Sequence, residues 1–322
     1  MLHVRRTREH ITARVDPEWR SIWPWLDSDF VRPWMLDAMR PVSQLAKMPV
    51  EDGVEARTHA VSTETGTFRI LQFEPEVRAV ADAQGPALLW IHGGGHIIGG
   101  VGQSNGVASF MARETGCPVF SVDYRIGPFP TDFDDCVAAL EWLRSQAAVP
   151  GIEVDPARIV VGGDSAGGGL AAGLAQWAAD NGVPLAFQIL EYPQLDDRTV
   201  VRPAPAGLGE VTWTPHLNDI AWTRYLGHEP GVDEHRPYVV PARRQDLTGL
   251  APAWIGVGDM DLFLPEDTAY AERLRDAGVP CELHVEPGMY HGADSVVGVG
   301  NRLHRILADV LLRAAGIENP PR

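Results

Sequence analysis

A serine flanked by glycines, Gly163-Asp164-Ser165-Ala166-Gly167, most constrains how this chain can fold. It follows the apolar run Arg158-Ile159-Val160-Val161-Gly162 and opens a helix-like stretch over 168–177. A Gly-x-Ser-x-Gly between a strand and a helix makes a nucleophile elbow, a turn so tight that the positions two before and two after the serine must be small. Gly163 and Gly167 meet that demand, since a side chain at either would collide with neighbouring backbone. The turn lifts the serine Oγ above the sheet. The helix behind it aims free backbone N–H groups at negative charge forming nearby.

In a chain with 33 glycines the pattern alone is weak. A second motif strengthens it. Ile91-His92-Gly93-Gly94-Gly95-His96 follows another apolar run, Ala87-Leu88-Leu89-Trp90. A His-Gly-Gly-Gly loop leaves its amides unobstructed, able to face a carbonyl oxygen as it becomes an oxyanion. Two halves of one device, in the expected order, are hard to obtain by accident.

Serine needs a base within hydrogen-bond reach, and that base needs a carboxylate to fix its tautomer. Of the 11 histidines, His291 lies in the loop-like Pro287-Gly288-Met289-Tyr290-His291-Gly292, just after a strand at 281–285. A loop at the C-terminal end of a strand is where sites assemble in open α/β sheets. His284 lies inside that strand, His216, His228 and His235 fall in an irregular region, and His304 sits in an amphipathic helix. His291 is therefore the expected base. For the acid, Asp259 and Asp261 both follow the strand-like Ala253-Trp254-Ile255-Gly256-Val257. One of them suits a cap for the helix starting near Pro265, or a bond to turn backbone, and composition does not choose between them.

Taken together, His92-Gly93-Gly94-Gly95, Asp123-Tyr124-Arg125, Gly163 to Gly168, Tyr192-Pro193, Asp261-Leu262 and His291-Gly292 carry a resemblance. From about residue 65 onward the chain resembles the bacterial hormone-sensitive-lipase-like esterases, a branch of the α/β-hydrolases. In that family the acid precedes an apolar residue and, further on, a Tyr-Ala-Glu-x-Leu helix. Tyr270-Ala271-Glu272-Arg273-Leu274 then aligns Asp261 with the acid. The resemblance implies an α/β-hydrolase fold and a triad of Ser165, Asp261 and His291. It implies oxyanion donors at the amides of Gly93, Gly94 and Ala166. It implies a core at 56–195 and 246–322, with a cap built from residues 1–55 and from an insertion at 196–245. The implied chemistry is hydrolysis of short- to medium-chain or aryl carboxylic esters through an acyl-enzyme, with no cofactor. The implied partners are a small-molecule ester and a second copy of the chain, joined through an edge strand. Two departures stand out. Tyr124-Arg125-Ile126-Gly127 runs straight into Pro128-Phe129-Pro130, a shorter loop than usual, and Ala293 follows His291-Gly292 where a phenylalanine is usual.

The rest of the chain fits an α/β class, a mostly parallel sheet with helices on both faces. Strand-like runs lie at 68–73, 88–92, 119–123, 159–162, 187–192, 254–257 and 281–285, and helix-like ones at 132–146, 167–179, 266–277 and 301–314. A net charge of −16 argues against nucleic-acid partners and anionic membrane surfaces. Cys117, Cys136 and Cys281 lack metal-ligand spacing and suit reduced, buried thiols. Met1-Leu2-His3-Val4-Arg5-Arg6 lacks the apolar core of a signal peptide, and no apolar run is long enough to span a bilayer. The expectation is a cytoplasmic protein without membrane insertion. His92 and His96 are separated by three glycines, which speaks against a helical metal site, and no metal is expected. His96 is expected to line the entrance or to bond a loop. Trp19, Trp23, Trp25, Trp34, Trp213 and Trp222 fall in the two cap segments, where indoles bury large area. These indoles are expected to glue the cap together and onto the sheet; the sharper alternative is that Trp23, Trp25 and Trp213 line an apolar pocket. The same triad would also serve a lactone, amide or carbamate hydrolase, and the scaffold itself could serve a non-catalytic binder of small molecules.

Overall fold

The apolar runs become the central strands of one eight-stranded sheet. The structure is a computed structural model that describes residues 10–20, 31–80, 84–145, 149 and 151–318. Its strands are β1 (Val54–Thr63), β2 (Gly66–Pro75), β3 (Gly85–Ile91), β4 (Val119–Asp123), β5 (Val154–Asp164), β6 (Phe187–Glu191), β7 (Ala253–Gly258) and β8 (Cys281–Glu286). They lie in the order β1-β2-β4-β3-β5-β6-β7-β8. β2 is antiparallel to both of its neighbours, and every other neighbouring pair is parallel.

The described helices are α1 (Pro33–Leu45), α2 (Asn105–Thr115), α3 (Thr131–Ser145), α4 (Ala166–Asp180), α5 (Pro215–Leu226), α6 (Leu264–Asp276), α7 (Ala293–Val297) and α8 (Arg302–Ala315). Strand side chains alternate between the faces of the sheet. On one face Ala87, Leu89 and Ile91 of β3 and Val161 of β5 pack with Leu140 of α3, Leu170 of α4 and Tyr270 of α6. On the other face Leu88, Trp90 and Val160 pack with Met111 of α2 and Leu303 and Leu307 of α8. Burial on both faces is why β3 is apolar along its whole length and fully buried.

The strand order reverses beside β3. The chain passes from β3 outward to β4, then returns to the other side of β3 as β5. In open α/β sheets ligands bind in the crevice at the carboxyl ends of strands flanking such a reversal. Here those ends are Ile91 and Gly163, which pair in register. The two glycine-rich motifs therefore emerge side by side.

Several elements differ from the sequence reading. β1 was not among the expected strands, and it begins at Val54, so the expected boundary at residue 56 falls inside it. Helices α1, α2, α5 and α7 were not anticipated either. Of the expected N-terminal cap, residues 10–20 pack beside the loop after β8 and reach the insertion, where Arg14 donates to the Gly207 carbonyl at 2.9 Å. The Asp16 N–H donates to the Gly288 carbonyl at 3.1 Å, and the Arg302 N–H donates to Glu18 at 2.7 Å. Trp19 is fully buried among core residues, with the Arg302 guanidinium 5.4 Å from its ring centre. Trp222 is likewise buried, while Trp34 is 69% exposed. Trp23 and Trp25 lie outside the described residues. Cys117 and Cys136 are free and buried, which pushes the first thiol up to about 12 and the second well above the usual range. No helix among the described residues is long and apolar enough to cross a membrane.

Candidate active site

The elbow depends on its glycines. Ser165 adopts φ 54° and ψ −120°, a left-handed conformation that a non-glycine residue holds only when its surroundings enforce it. Its N–H donates to the Glu191 carbonyl at 2.9 Å, and its own carbonyl accepts from Gly169 and Gln194 at 3.0 and 2.9 Å. A Cβ on Gly167 would fall on the Ile91 and His92 carbonyl oxygens, and one on Gly163 would fall on the Ile91 carbonyl and Gly167. Those obstacles are backbone and cannot swing aside. Gly167→Ala is therefore expected to destabilise the fold by about 3 kcal/mol or more, at or beyond the top of the usual overpacking range. Urea unfolding and soluble yield measure this, and an unchanged midpoint would show that the turn has slack.

Three strands carry the polar relay. Ser165 follows β5, Asp261 follows β7 and His291 follows β8. The Ser165 hydroxyl lies 2.8 Å from His291 Nε2, and His291 Nδ1 lies 2.8 Å from Asp261 Oδ2. With Nδ1–H donating to the carboxylate, Nε2 is left to accept from the hydroxyl. Asp261 is fully buried, and its Oδ1 accepts from the Phe263 N–H at 2.9 Å, which fixes the carboxylate plane. Asp259 plays a different part. Its Oδ1 accepts from the Gly288 N–H at 2.8 Å and holds the loop leading to His291. The Thr212 hydroxyl donates to the His291 carbonyl from the insertion side. Tyr192, Phe263 and Trp213 pack around the imidazole at centroid distances of 4.7, 5.1 and 5.8 Å. Ala293, where the resemblance expects phenylalanine, is fully buried.

The glycine loop differs from expectation at one of its amides. The Gly93 N–H donates to Asp164 Oδ2 at 3.0 Å, so this expected oxyanion donor is already engaged by the residue before the serine. Among the described residues, the N–H groups of Gly94, Gly95 and Ala166 have no hydrogen-bond partner. His92 anchors the loop from below. Its ring stacks on Tyr124 at 4.2 Å, its Nδ1–H donates to the Gly93 carbonyl at 2.8 Å, and the Tyr124 hydroxyl donates to the His92 carbonyl at 2.9 Å. Burial pushes the His92 imidazole below its usual range, which keeps it neutral.

His96 is a correction. It was expected at the entrance, but φ 58° turns its side chain the other way, into the protein. Nδ1 lies 2.7 Å from Asp132 Oδ2, and the ring stacks on Tyr225 at 3.7 Å. Both members of this pair are buried, and His96 is not in the cavity wall. It ties the glycine loop to α3 and α5. Among the described residues no group of three or more His, Cys, Asp or Glu side chains is arranged to hold a metal ion.

A cavity of about 580 Å³ opens above Ser165. Leu36 of α1, Ala46, Lys47 and Met48 form one wall, and Thr212, Trp213 and Leu217 another. Trp213 lines the cavity, and its indole N–H donates to Asn218 at 3.3 Å. Asp164, Glu191 and Asp294 also line it, and sequence reasoning passed over all three. A glutamate ending β6 straight after Ile189 and Leu190 was the available signal.

The elbow, the relay and the parallel sheet meet in one arrangement, and a family model described as the alpha/beta hydrolase fold matches residues 88–295. The chain belongs to this α/β-hydrolase family. Among curated relatives, carboxylesterase NlhH of Mycobacterium tuberculosis is 39% identical over 216 residues, covering 64% of this chain and 66% of that protein. Esterase LipI of the same organism is 35% identical over 226 residues, covering 67% of this chain and 68% of that protein. The chain thus spans just under two thirds of the length of the first of these. Among solved structures, a bacterial heroin esterase is similar with a TM-score of 0.80 and 34% identity, covering 95% of this chain and 99% of that one. The esterase LipW of Mycobacterium marinum is similar with a TM-score of 0.73 and 31% identity, covering 94% and 96%.

Proposed function

We propose that this chain is a serine carboxylester hydrolase working through an acyl-enzyme. The observation that carries the reading is the continuous relay from Ser165 through His291 to Asp261, with both links at 2.8 Å. His291 Nε2 takes the Ser165 proton as Oγ attacks the ester carbonyl, and Asp261 stabilises the resulting imidazolium. The oxyanion is received by the open amides at Gly94, Gly95 and Ala166. Gly93, whose N–H is engaged by Asp164, serves instead to hold the loop. His291 then protonates the departing alcohol, and a water activated by the same imidazole releases the acid. The similarity to proteins named carboxylesterase and esterase supports this chemistry over other uses of the fold.

The apolar cavity wall supports short- to medium-chain or aryl esters. Hydrolysis of p-nitrophenyl esters of rising chain length tests the reading, together with fluorophosphonate labelling of Ser165. No turnover and no labelling would overturn it. Trp213 stands over Gly95 and beside His291 in the cavity wall. Trp213→Ala is expected to raise kcat/KM for the hexanoate relative to the acetate by about tenfold, the scale on which a hydrophobic pocket reads extra methylenes. An unchanged ratio would remove Trp213 from the pocket. Two finer points belong to the same reading. The three free cysteines support a reducing, cytoplasmic setting. The edge strand β8, paired only to β7 and carrying the exposed Val285, supports a homodimer joined along that edge.

A further inference from the structure

The cavity changes character beside the nucleophile. Much of its wall is apolar, with Leu36, Ile97, Leu217 and Val299 facing inward. At one end it is lined by three carboxyl groups, Asp164, Glu191 and Asp294, delivered by the ends of β5 and β6 and by α7. Asp294 is satisfied by the protein: the Tyr192 hydroxyl donates to Oδ1 at 2.8 Å, and His304 Nε2 lies 3.3 Å from Oδ2. The other two are not. Glu191 is 1% exposed and its Oε1 has no hydrogen-bond partner. Asp164 uses Oδ2 for the Gly93 N–H, while its buried Oδ1 has no partner. Among the described residues neither carboxyl forms an ion pair with an arginine or lysine. Buried acceptors without donors beside a ligand cavity are the exception in folded proteins and ask what would satisfy them.

We propose that this end of the cavity is a recognition subsite for a protonated amine carried by the ester substrate, with the carboxyl oxygens of Glu191 and Asp164 accepting from its N–H. The inference rests on the esterase reading above and narrows its substrate class. An ammonium supplies both things the subsite lacks, a hydrogen-bond donor and a positive charge, and Asp294 adds a third negative group behind them. The flanking rings of Tyr192 and His291 and the buried His304 complete its surroundings. Without a cation, burial and the neighbouring Asp294 push Glu191 well above the carboxylate range and Asp164 up to about 7. A bound ammonium favours the ionised forms, so binding releases protons. Affinity for the amine therefore strengthens as pH rises through about 7, for as long as the amine stays protonated.

Two pairs of esters of matched shape test this. 2-(Dimethylamino)ethyl butyrate is compared with 3-methylbutyl butyrate, and ethyl 4-(dimethylamino)butyrate with ethyl 5-methylhexanoate. These put the amine at the alcohol end and the acyl end in turn. The expected result at neutral pH is a kcat/KM about tenfold or more higher for the amine in one pair, a ratio that falls toward one in Glu191→Gln. Calorimetric binding of the same esters to Ser165→Ala gives a readout that needs no turnover. It is expected to show the same preference, with proton release to buffer for the amine alone. Turnover of the neutral esters with both ratios near one would overturn the subsite and leave the esterase reading standing. Turnover of none of the four would count against the esterase reading, and equal binding of amine and neutral ester to Ser165→Ala would still overturn the subsite.

Discussion

Ser165→Ala is expected to lower kcat for p-nitrophenyl butyrate by roughly 10⁴- to 10⁶-fold, with circular dichroism unchanged. Removing the hydroxyl removes the atom that forms the acyl-enzyme, and the remaining members of a triad act as a unit that retains little without it. Residual activity then comes from the open amides and substrate binding alone. The substitution deletes one hydroxyl from a nearly buried site and leaves the left-handed backbone to be held by Gly163, Gly167 and the bonds to Glu191, Gly169 and Gln194. Fluorophosphonate labelling should disappear in parallel. A loss below tenfold would mean that another group attacks the ester.

Asp261→Asn is expected to lower kcat by about 10⁴-fold, the scale seen when a triad acid becomes an amide and the histidine takes the wrong tautomer. An asparagine that presents its NH₂ to His291 Nδ1 drives the ring proton to Nε2, which then cannot accept from Ser165. Asp259→Asn is the contrast. Its carboxylate touches the Gly288 N–H and not the imidazole, so an amide oxygen can take over the bond and kcat should change by no more than a few fold. Equal losses from both substitutions would contradict the separate roles of the two carboxylates.

The readable elements share a cause. β3 and β7 were visible because burial on both faces makes each a run of apolar residues, whichever neighbours it meets. β1 was invisible because it is an edge strand with a largely exposed, polar sequence, and only its pairing with β2 makes it a strand. Helix α2 was missed because polar groups sit on its buried side. Asn105 donates to the Met48 carbonyl at 3.1 Å and Ser109 to the Asn105 carbonyl at 2.6 Å, so the apolar periodicity that would announce the helix is broken. His96 was misjudged because a single left-handed residue reverses the side of the loop its side chain faces.

The elbow and the glycine loop are local objects. Their steric demands act between residues a few positions apart, so the chain's order of amino acids was enough to announce a serine on a strained turn, a loop of open amides and a histidine on a loop. Engaging the Gly93 amide with Asp164, turning His96 inward and leaving Glu191 in the cavity wall were decisions of the folded molecule. Each depends on where strands far apart in the chain end relative to one another, and hydrogen bonds select partners by distance and direction in space, which no linear spacing encodes.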